Sequence, residues 1–271
     1  MKILHIWSCA GISSLIAKYM DRSHGTESDV ILTEKWDPLK LNRYNTTRMK
    51  SKPIFGLRAL VMARKYDLIH VHYHSIFVRP LKFLYDKPVI IHFHGSDVRQ
   101  NWGAHMKRIK RADRILVSTK DLLEGSPSRA IWTPNPVDTL KFKKEKGVIR
   151  SWDKAFTFSY GADEEAEKIA RKFGLSLEIV RERIPYNVLD DFMRKYDYYI
   201  DIKRDFKGRI LPTHGPPVLS KTGLEALSLG LSVIAKDGRV RTDLPDYHRV
   251  ENVVDFLYGI YQECLRPYEK L

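Results

Sequence analysis

The stretch VLSKTGLEALSLGLSVIAKDG, Val218–Gly238, decides how the rest of the chain is read. Four polar or flexible residues, Ser220, Lys221, Thr222 and Gly223, lead into a short helical run that carries one carboxylate, Glu225. Gly230 stops the run, and the apolar residues Leu231 to Ala235 then read as a buried strand. This loop, short helix, glycine stop and strand make one α/β unit. Unpaired backbone N–H groups and the helix dipole favour an anion at such a helix start, and Lys221 adds a full positive charge. Glu225, in the first turn, is placed to accept hydrogen bonds from ligand hydroxyls. The same residues also suit a purely local role, with Ser220 as the N-cap and Glu225 as the partner of the dipole.

Outward from this unit, strand-like and helix-like runs alternate, the pattern of parallel sheets covered by helices. The first half predicts strands at 3–7, 28–33, 68–72, 88–93, 114–118 and 129–132. Helices are predicted at 12–21, 76–84, 101–110 and 119–124, and a basic region at 34–65 ends in a helix from about Phe55. Pro134, Asn135 and Pro136 break the series, and LKFKKEKG follows as an exposed linker. The second half restarts with strands at 155–159, 176–180, 197–202 and 231–235 and helices at 163–173, 186–195 and 222–229. A last helix, Val250 to Cys264, is apolar at Val253, Val254, Leu257, Ile260 and Tyr261, a helical spacing. The expected architecture is α/β, with two Rossmann-like doubly wound domains facing a central cleft. Residues 1–145 form the first domain, 146–249 a small second one, and 250–271 a helix that returns to the first.

The 271 residues carry a formal net charge of +14, so anionic partners are expected: phosphates, acidic lipid or nucleic acid. No nucleic-acid motif is present, and a nucleic-acid partner rests on charge alone. Cys9 and Cys264, far apart and outside any metal-ligand spacing, point to a reduced, cytoplasmic setting. No apolar run reaches the roughly 18–20 residues of a membrane-spanning helix.

Several pieces of the chain, in order, resemble family 4 glycosyltransferases of GT-B type. They are KILHIWSCAGIS, YDLIHVHYHS, KPVIIHFHGSD, ADRILVSTKDLLE, TPNPVD and the 218–238 stretch. The resemblance implies a retaining transferase that moves a sugar from a nucleotide-sugar donor to a hydroxyl acceptor. The leaving phosphate then serves as base, so no dedicated catalytic carboxylate is required. It places Glu225 on the donor ribose and the Ser220–Gly223 loop with Lys221 on phosphate. His94, at the end of a strand, is the catalytic candidate against the transferred sugar, with Gly95, Ser96 and Asp97 shaping its turn. Gly11 and Ser13, in the first strand-to-helix turn, are placed to position acceptor or diphosphate.

Two departures from the family pattern stand out. The second domain lacks the extra strand and helix whose Arg/Lys pair grips the donor pyrophosphate. Lys203, Arg204, Lys207, Arg209 and Lys221 are the available substitutes, with Lys203 and Lys221 best placed. Pro217 stands where the family carries its first glutamate, so the direct sugar contact of that carboxylate is lost or reassigned.

His70, His72 and His74 alternate and are expected on one strand face. Three ligands on a single strand close a tetrahedral site poorly, and no Asp-x-Asp pair occurs, so no metal and no separate cofactor are expected. The basic, partly apolar 34–65 region fits peripheral docking on an anionic membrane as well as a solvated helix and loop. The acceptor class, glycan, lipid or small molecule, is open. Two further readings stay open beside the transferase: a non-catalytic nucleotide or sugar binder derived from one, and a nucleotide-sugar epimerase.

Overall fold

The computed structural model describes residues 1–95, 97–99, 101–144, 153–202, 204, 209–210 and 218–268. Ser96, Lys203, Lys207 and Pro217 lie outside the described residues. The chain divides into two compact units, Met1–Pro136 with the C-terminal segment from Val250, and Val137–Arg249. The division falls earlier than the expected 145/146 junction. Phe142 accounts for this, since its ring is fully buried in the core of the second unit.

In the first unit, β1 (Lys2–Ile6), β2 (Glu27–Thr33), β3 (Thr46–Met49), β4 (Leu68–His72), β5 (Val89–Phe93), β6 (Arg114–Val117) and β7 (Ala130–Trp132) form a sheet. Its order is β3-β2-β1-β4-β5-β6-β7 and every neighbouring pair is parallel. β4 and β5 are buried at each residue, as strands covered on both faces must be. Side chains alternate between the faces. Ile3, Leu68, Ile90 and Leu116 meet α1 (Ile12–His24) and the C-terminal helix (Val250–Leu265) on one side. Leu4, Ile69, Val71 and Ile91 meet α2 (Lys52–Ala63), α3 (Val78–Leu84) and α4 (Gly103–Ile109) on the other. Each such Leu, Ile or Val removed from water contributes about 1.5–3 kcal/mol.

Local chemistry sets the ends of these helices. Gly11 (φ 75°) and Gly25 (φ 62°) bracket α1 in left-handed conformations. Pro53 in the first turn of α2 starts it before the expected Phe55, because proline has no N–H to lose there. β3 occupies part of the segment expected only as a basic region. Its Thr-Thr-Arg-Met has no apolar alternation and exists through pairing with β2 at the sheet edge, Thr47 opposite Ile31. The expected helix at 119–124 is a 3-10 turn, Lys120–Leu123.

The second unit has β8 (Lys154–Phe158), β9 (Ser176–Val180), β10 (Tyr198–Asp201), β11 (Ser232–Ala235) and β12 (Val240–Arg241), in the order β12-β11-β10-β8-β9. All pairs are parallel except β12, a short edge strand that returns antiparallel to β11. α5 (Asp163–Phe173) carries Asp163, Glu164 and Glu165 in its first turn and Arg171 and Lys172 in its last, matched to its dipole. The helix expected at 186–195 is a 3-10 turn, Tyr186–Val188, followed by the short α6 (Leu189–Met193). α7 (Lys221–Ser228) buries Leu224 and Leu227 with Phe156, Tyr199 and Val233. No helix among the described residues is long and apolar enough to cross a membrane.

Candidate functional site

In the second unit the strand order reverses between β8 and β10, the position at which doubly wound sheets take ligands beyond their strand C-termini. Asp201 ends β10, is buried, and accepts a hydrogen bond from the Ser220 N–H at 2.7 Å. Ser220 Oγ accepts from the Gly223 N–H at 3.0 Å, an N-cap that starts α7. A Cβ on Gly223 would lie 2.7 Å from Asp201 Oδ2, so the glycine lets the helix start rest against the strand end. Two of the backbone donors in the expected phosphate loop are thereby committed to the protein itself.

Glu225 is 2% exposed. It is ion-paired with Lys221 one turn earlier and accepts a hydrogen bond from the Tyr186 hydroxyl at 3.2 Å. Burial, together with the nearby Glu225 carboxylate, pushes the Tyr186 phenol well above its ordinary pKa, so at neutral pH Tyr186 is a donor to that carboxylate. Lys221 and Lys141 both lie over the Tyr186 ring, at 5.8 and 5.2 Å from its centroid. Lys141 is itself ion-paired with Asp190. Tyr160, half-exposed just past β8, completes the group through Thr222, with the Asp201 charge nearby. Of the other expected phosphate ligands, Arg204 is ion-paired with Glu165. The site therefore holds a neutralised carboxylate beside two cations and two phenols. Tyr186, Tyr160 and Asp201 escaped sequence reasoning, because no motif links residues so far apart in the chain.

In the first unit the strand order reverses between β1 and β4. The loop after β1 is left-handed at Trp7 (φ 75°), Ala10 (φ 47°) and Gly11 (φ 75°). Such angles are uncommon for residues with a side chain. Ser13 is buried and donates from Oγ to the Trp7 carbonyl at 2.8 Å, while its N–H donates to Ser8 Oγ at 3.1 Å. Its hydroxyl closes the loop instead of facing a ligand. After β5, the Asp97 carboxylate accepts from the N–H groups of His94, Gly95 and Val98 at 3.0, 2.7 and 3.1 Å and so builds the turn. Burial raises the Asp97 pKa, and the backbone donors oppose that rise.

His70 and His72 share a sheet face as expected, but His74 does not. Tyr73 (φ 66°) turns the chain, and the His74 ring packs edge-on against Trp7 at 4.3 Å. Neighbouring strands take its place. The pairing of His5 with His70 and of His72 with His92 brings five imidazoles together under α1 and the C-terminal helix. His5 Nδ1 lies 3.2 Å from His72 Nε2, and His72 Nδ1 lies 3.0 Å from His94 Nε2. His94 Nδ1 lies 2.6 Å from Ser118 Oγ, which is 3.1 Å from His92 Nε2. His70 Nδ1 meets the Tyr261 hydroxyl of the C-terminal helix at 2.7 Å. Burial holds His5 at a pKa of about 4 and His94 at about 3, and carries His70, His72 and His92 well below the ordinary range. All five are neutral at pH 7, each with one N–H and one bare nitrogen. Both ring nitrogens of His94 are thus engaged within the protein.

Residues 16–139, a little under half of the chain, match the family model described as Glycosyltransferase Family 4. The chain also superposes on a sucrose-phosphate synthase from Thermosynechococcus elongatus at a TM-score of 0.59, with 13% identity, covering 98% of this chain and 92% of that one. The chain has the GT-B fold of glycosyltransferases. An alpha-glucosyltransferase in complex with UDP and a 13-mer DNA containing a central A:G mismatch gives a TM-score of 0.55 at 11% identity, over 98% and 93% of the two chains. A UDP co-structure of S. aureus MnaA gives 0.50 at 13% identity, over 97% and 89%. No curated protein matches the chain by sequence. Within this GT-B chain the family match spans the histidine-bearing strands β4 and β5 and ends before the Glu225 site, which rests on its geometry.

Proposed function

We propose that this chain is a retaining, metal-independent glycosyltransferase that uses a nucleotide-sugar donor and a hydroxyl acceptor. The observation that carries the reading is the Lys221–Glu225–Tyr186 cluster on a GT-B frame, at the switch point of the second sheet. Glu225 receives the donor ribose by exchanging the Tyr186 hydroxyl for those of the sugar. Lys221, Thr222 and the Ser220 hydroxyl, with Lys203 as a further cation, hold the diphosphate, and Gly223 keeps the helix start close to the strand end. Preorganised positive charge of this kind stabilises a leaving nucleotide diphosphate. His94 marks the catalytic end of the first unit, and the Gly11 turn, held closed by Ser13, shapes the acceptor side. The absence of an Asp-x-Asp pair agrees with transfer in which metal does not hold the diphosphate.

The acceptor side of this reading includes an anionic membrane. α2 exposes Ile54, Leu57 and Val61, and the neighbouring α3 exposes Phe83 and Leu84. Lys52, Arg58, Arg64, Lys65 and Arg79 are exposed around them. Apolar side chains ringed by cations suit insertion at the boundary between headgroups and acyl chains. Cys9 and Cys264 are not joined in a disulfide, which agrees with a reducing compartment on the inner face.

A non-catalytic nucleotide or sugar binder is the second reading, favoured by the engagement of both His94 nitrogens and of Glu225. Thermal unfolding with a panel of nucleoside diphosphates and nucleotide sugars tests the proposal. A ligand at 100 times its Kd adds about 2.7 kcal/mol of stability. A shift for one nucleotide sugar, abolished in Glu225→Ala, is expected, and turnover of that donor is expected to vanish in His94→Ala. Indifference to every member of the panel overturns both readings, whereas binding without turnover selects the second.

A further inference from the structure

We propose that His5, His70 and His72 form a binding site for a divalent transition-metal ion of the Zn2+ class, distinct from the donor site of the second unit and joined to His94 through the hydrogen bond of His72. One nitrogen from each ring lies within 4.8 Å of one from each of the others. All three side chains are fully buried. Nε2 of His5 and Nε2 of His70 are buried and have no hydrogen-bond partner. Buried polar atoms are ordinarily partnered, and these two leave coordinating capacity inside the cluster. Burial keeps the rings neutral, the form in which imidazole binds a metal.

The surrounding hydrogen bonds orient the rings for this role. A metal-bound imidazole ordinarily gives its other N–H to an acceptor, which fixes the tautomer. The Tyr261 hydroxyl, 2.7 Å from His70 Nδ1, and His94 Nε2, 3.0 Å from His72 Nδ1, are the acceptors for this role in the Nδ1–H tautomers. With those protons in place, Nε2 of His70 and Nε2 of His72 are bare lone pairs. His72 Nε2 is now the acceptor opposite His5 Nδ1 at 3.2 Å, and it passes to the ion when that contact opens. Nitrogens bound at about 2.0–2.1 Å around a tetrahedral ion sit somewhat over 3 Å apart, so the three must draw together from within 4.8 Å and the stacked His70 and His72 rings, 4.1 Å between centroids, must splay as the ion enters. Three strands contribute to the wider cluster, and β1 and β4 supply these three ligands. The weakness of a single-strand ligand set is thereby removed. Asp21, whose charge acts on His5, supplies nearby negative potential. An all-imidazole set selects Zn2+, Co2+, Ni2+ or Cu2+ over Mg2+ or Ca2+.

Co2+ titration of chelator-treated full-length protein, followed by visible absorbance, tests the site. One equivalent giving the intense bands of a tetrahedral ion, displaced by Zn2+, is expected in the wild type and in the His105→Gln control. Those bands are expected to be lost in His5→Gln and in His70→Gln. Absence of the bands in the wild type, or their survival in both variants, overturns the proposal. If the variants do not fold, X-ray absorption of the Zn2+-loaded wild type decides. Imidazole nitrogen scatterers at about 2.0 Å support the site, and oxygen-dominated coordination overturns it. The nucleotide-dependent thermal shift, measured in the same samples, reports the proposed donor site independently, so failure of one reading is distinguishable from failure of the other.

Discussion

Lys221→Met isolates the ion pair at the centre of the second unit. The Lys221 and Glu225 side chains are 12% and 3% exposed, and the carboxylate also accepts from the Tyr186 hydroxyl at 3.2 Å. Removing the lysine leaves a buried, uncompensated negative charge, which costs about 3–5 kcal/mol. That is a large share of a typical stability of roughly 5–15 kcal/mol. At about 2–4 °C per kcal/mol, the transition falls by on the order of 10 °C. Lys221→Met/Glu225→Leu is expected to recover most of the loss, because both charges leave together and an apolar side chain fills the space. Urea unfolding followed by circular dichroism measures all three proteins, and a nucleotide-sugar titration accompanies each. Stability returns in the double variant while donor binding does not. A cost below about 1 kcal/mol for Lys221→Met would refute the buried pair, and Glu225 would then be an ordinary surface carboxylate.

Two further outcomes follow from other parts of the molecule. The buried histidines have folded pKa values below the ordinary 6.5, so the folded state binds fewer protons than the unfolded chain in acid. Their contribution to stability is intact above pH 6.5 and is lost as the pH falls through that value towards the folded pKa. For His5, held at about 4, the loss between pH 7 and pH 5 is about 2 kcal/mol, and the other buried rings add to it. Urea midpoints of chelator-treated protein at the two pH values check this, and equal midpoints contradict it. At the membrane face, Leu57→Asp/Val61→Asp is expected to lower partitioning onto phosphatidylserine vesicles at least tenfold without lowering the urea midpoint, since both residues are exposed. Unchanged sedimentation with vesicles counts against docking through α2.

Much of the fold was legible because apolar runs of strand length alternate with amphipathic ones. Leu68–His72 and Val89–Phe93 are apolar enough to be recognised as buried strands, and Gly25 and Gly174 mark helix ends by their chemistry. β3 was missed because Thr-Thr-Arg-Met carries no pattern of its own, and β12 because two residues are too few to show one. The contact division at Pro136/Val137 precedes the expected 145/146 junction because Phe142, within the charged linker, packs in the second core.

The candidate sites divide along the same line. Ser220 as a cap and Glu225 in the first turn of α7 are local facts, set by side chains reaching backbone groups a few residues away. The alternation of His70 and His72 is local too. The sealing of Glu225 by Tyr186, and the meeting of His5, His72, His94 and Ser118, depend on strand order and register. Sequence spacing by itself determined two α/β series, their helix caps and which residues of each strand share a face. Only the tertiary structure decided which faces meet, because pairing between strands distant in the chain is chosen by the packing of the whole sheet. A one-residue slip in that pairing would have turned His5 away from His72.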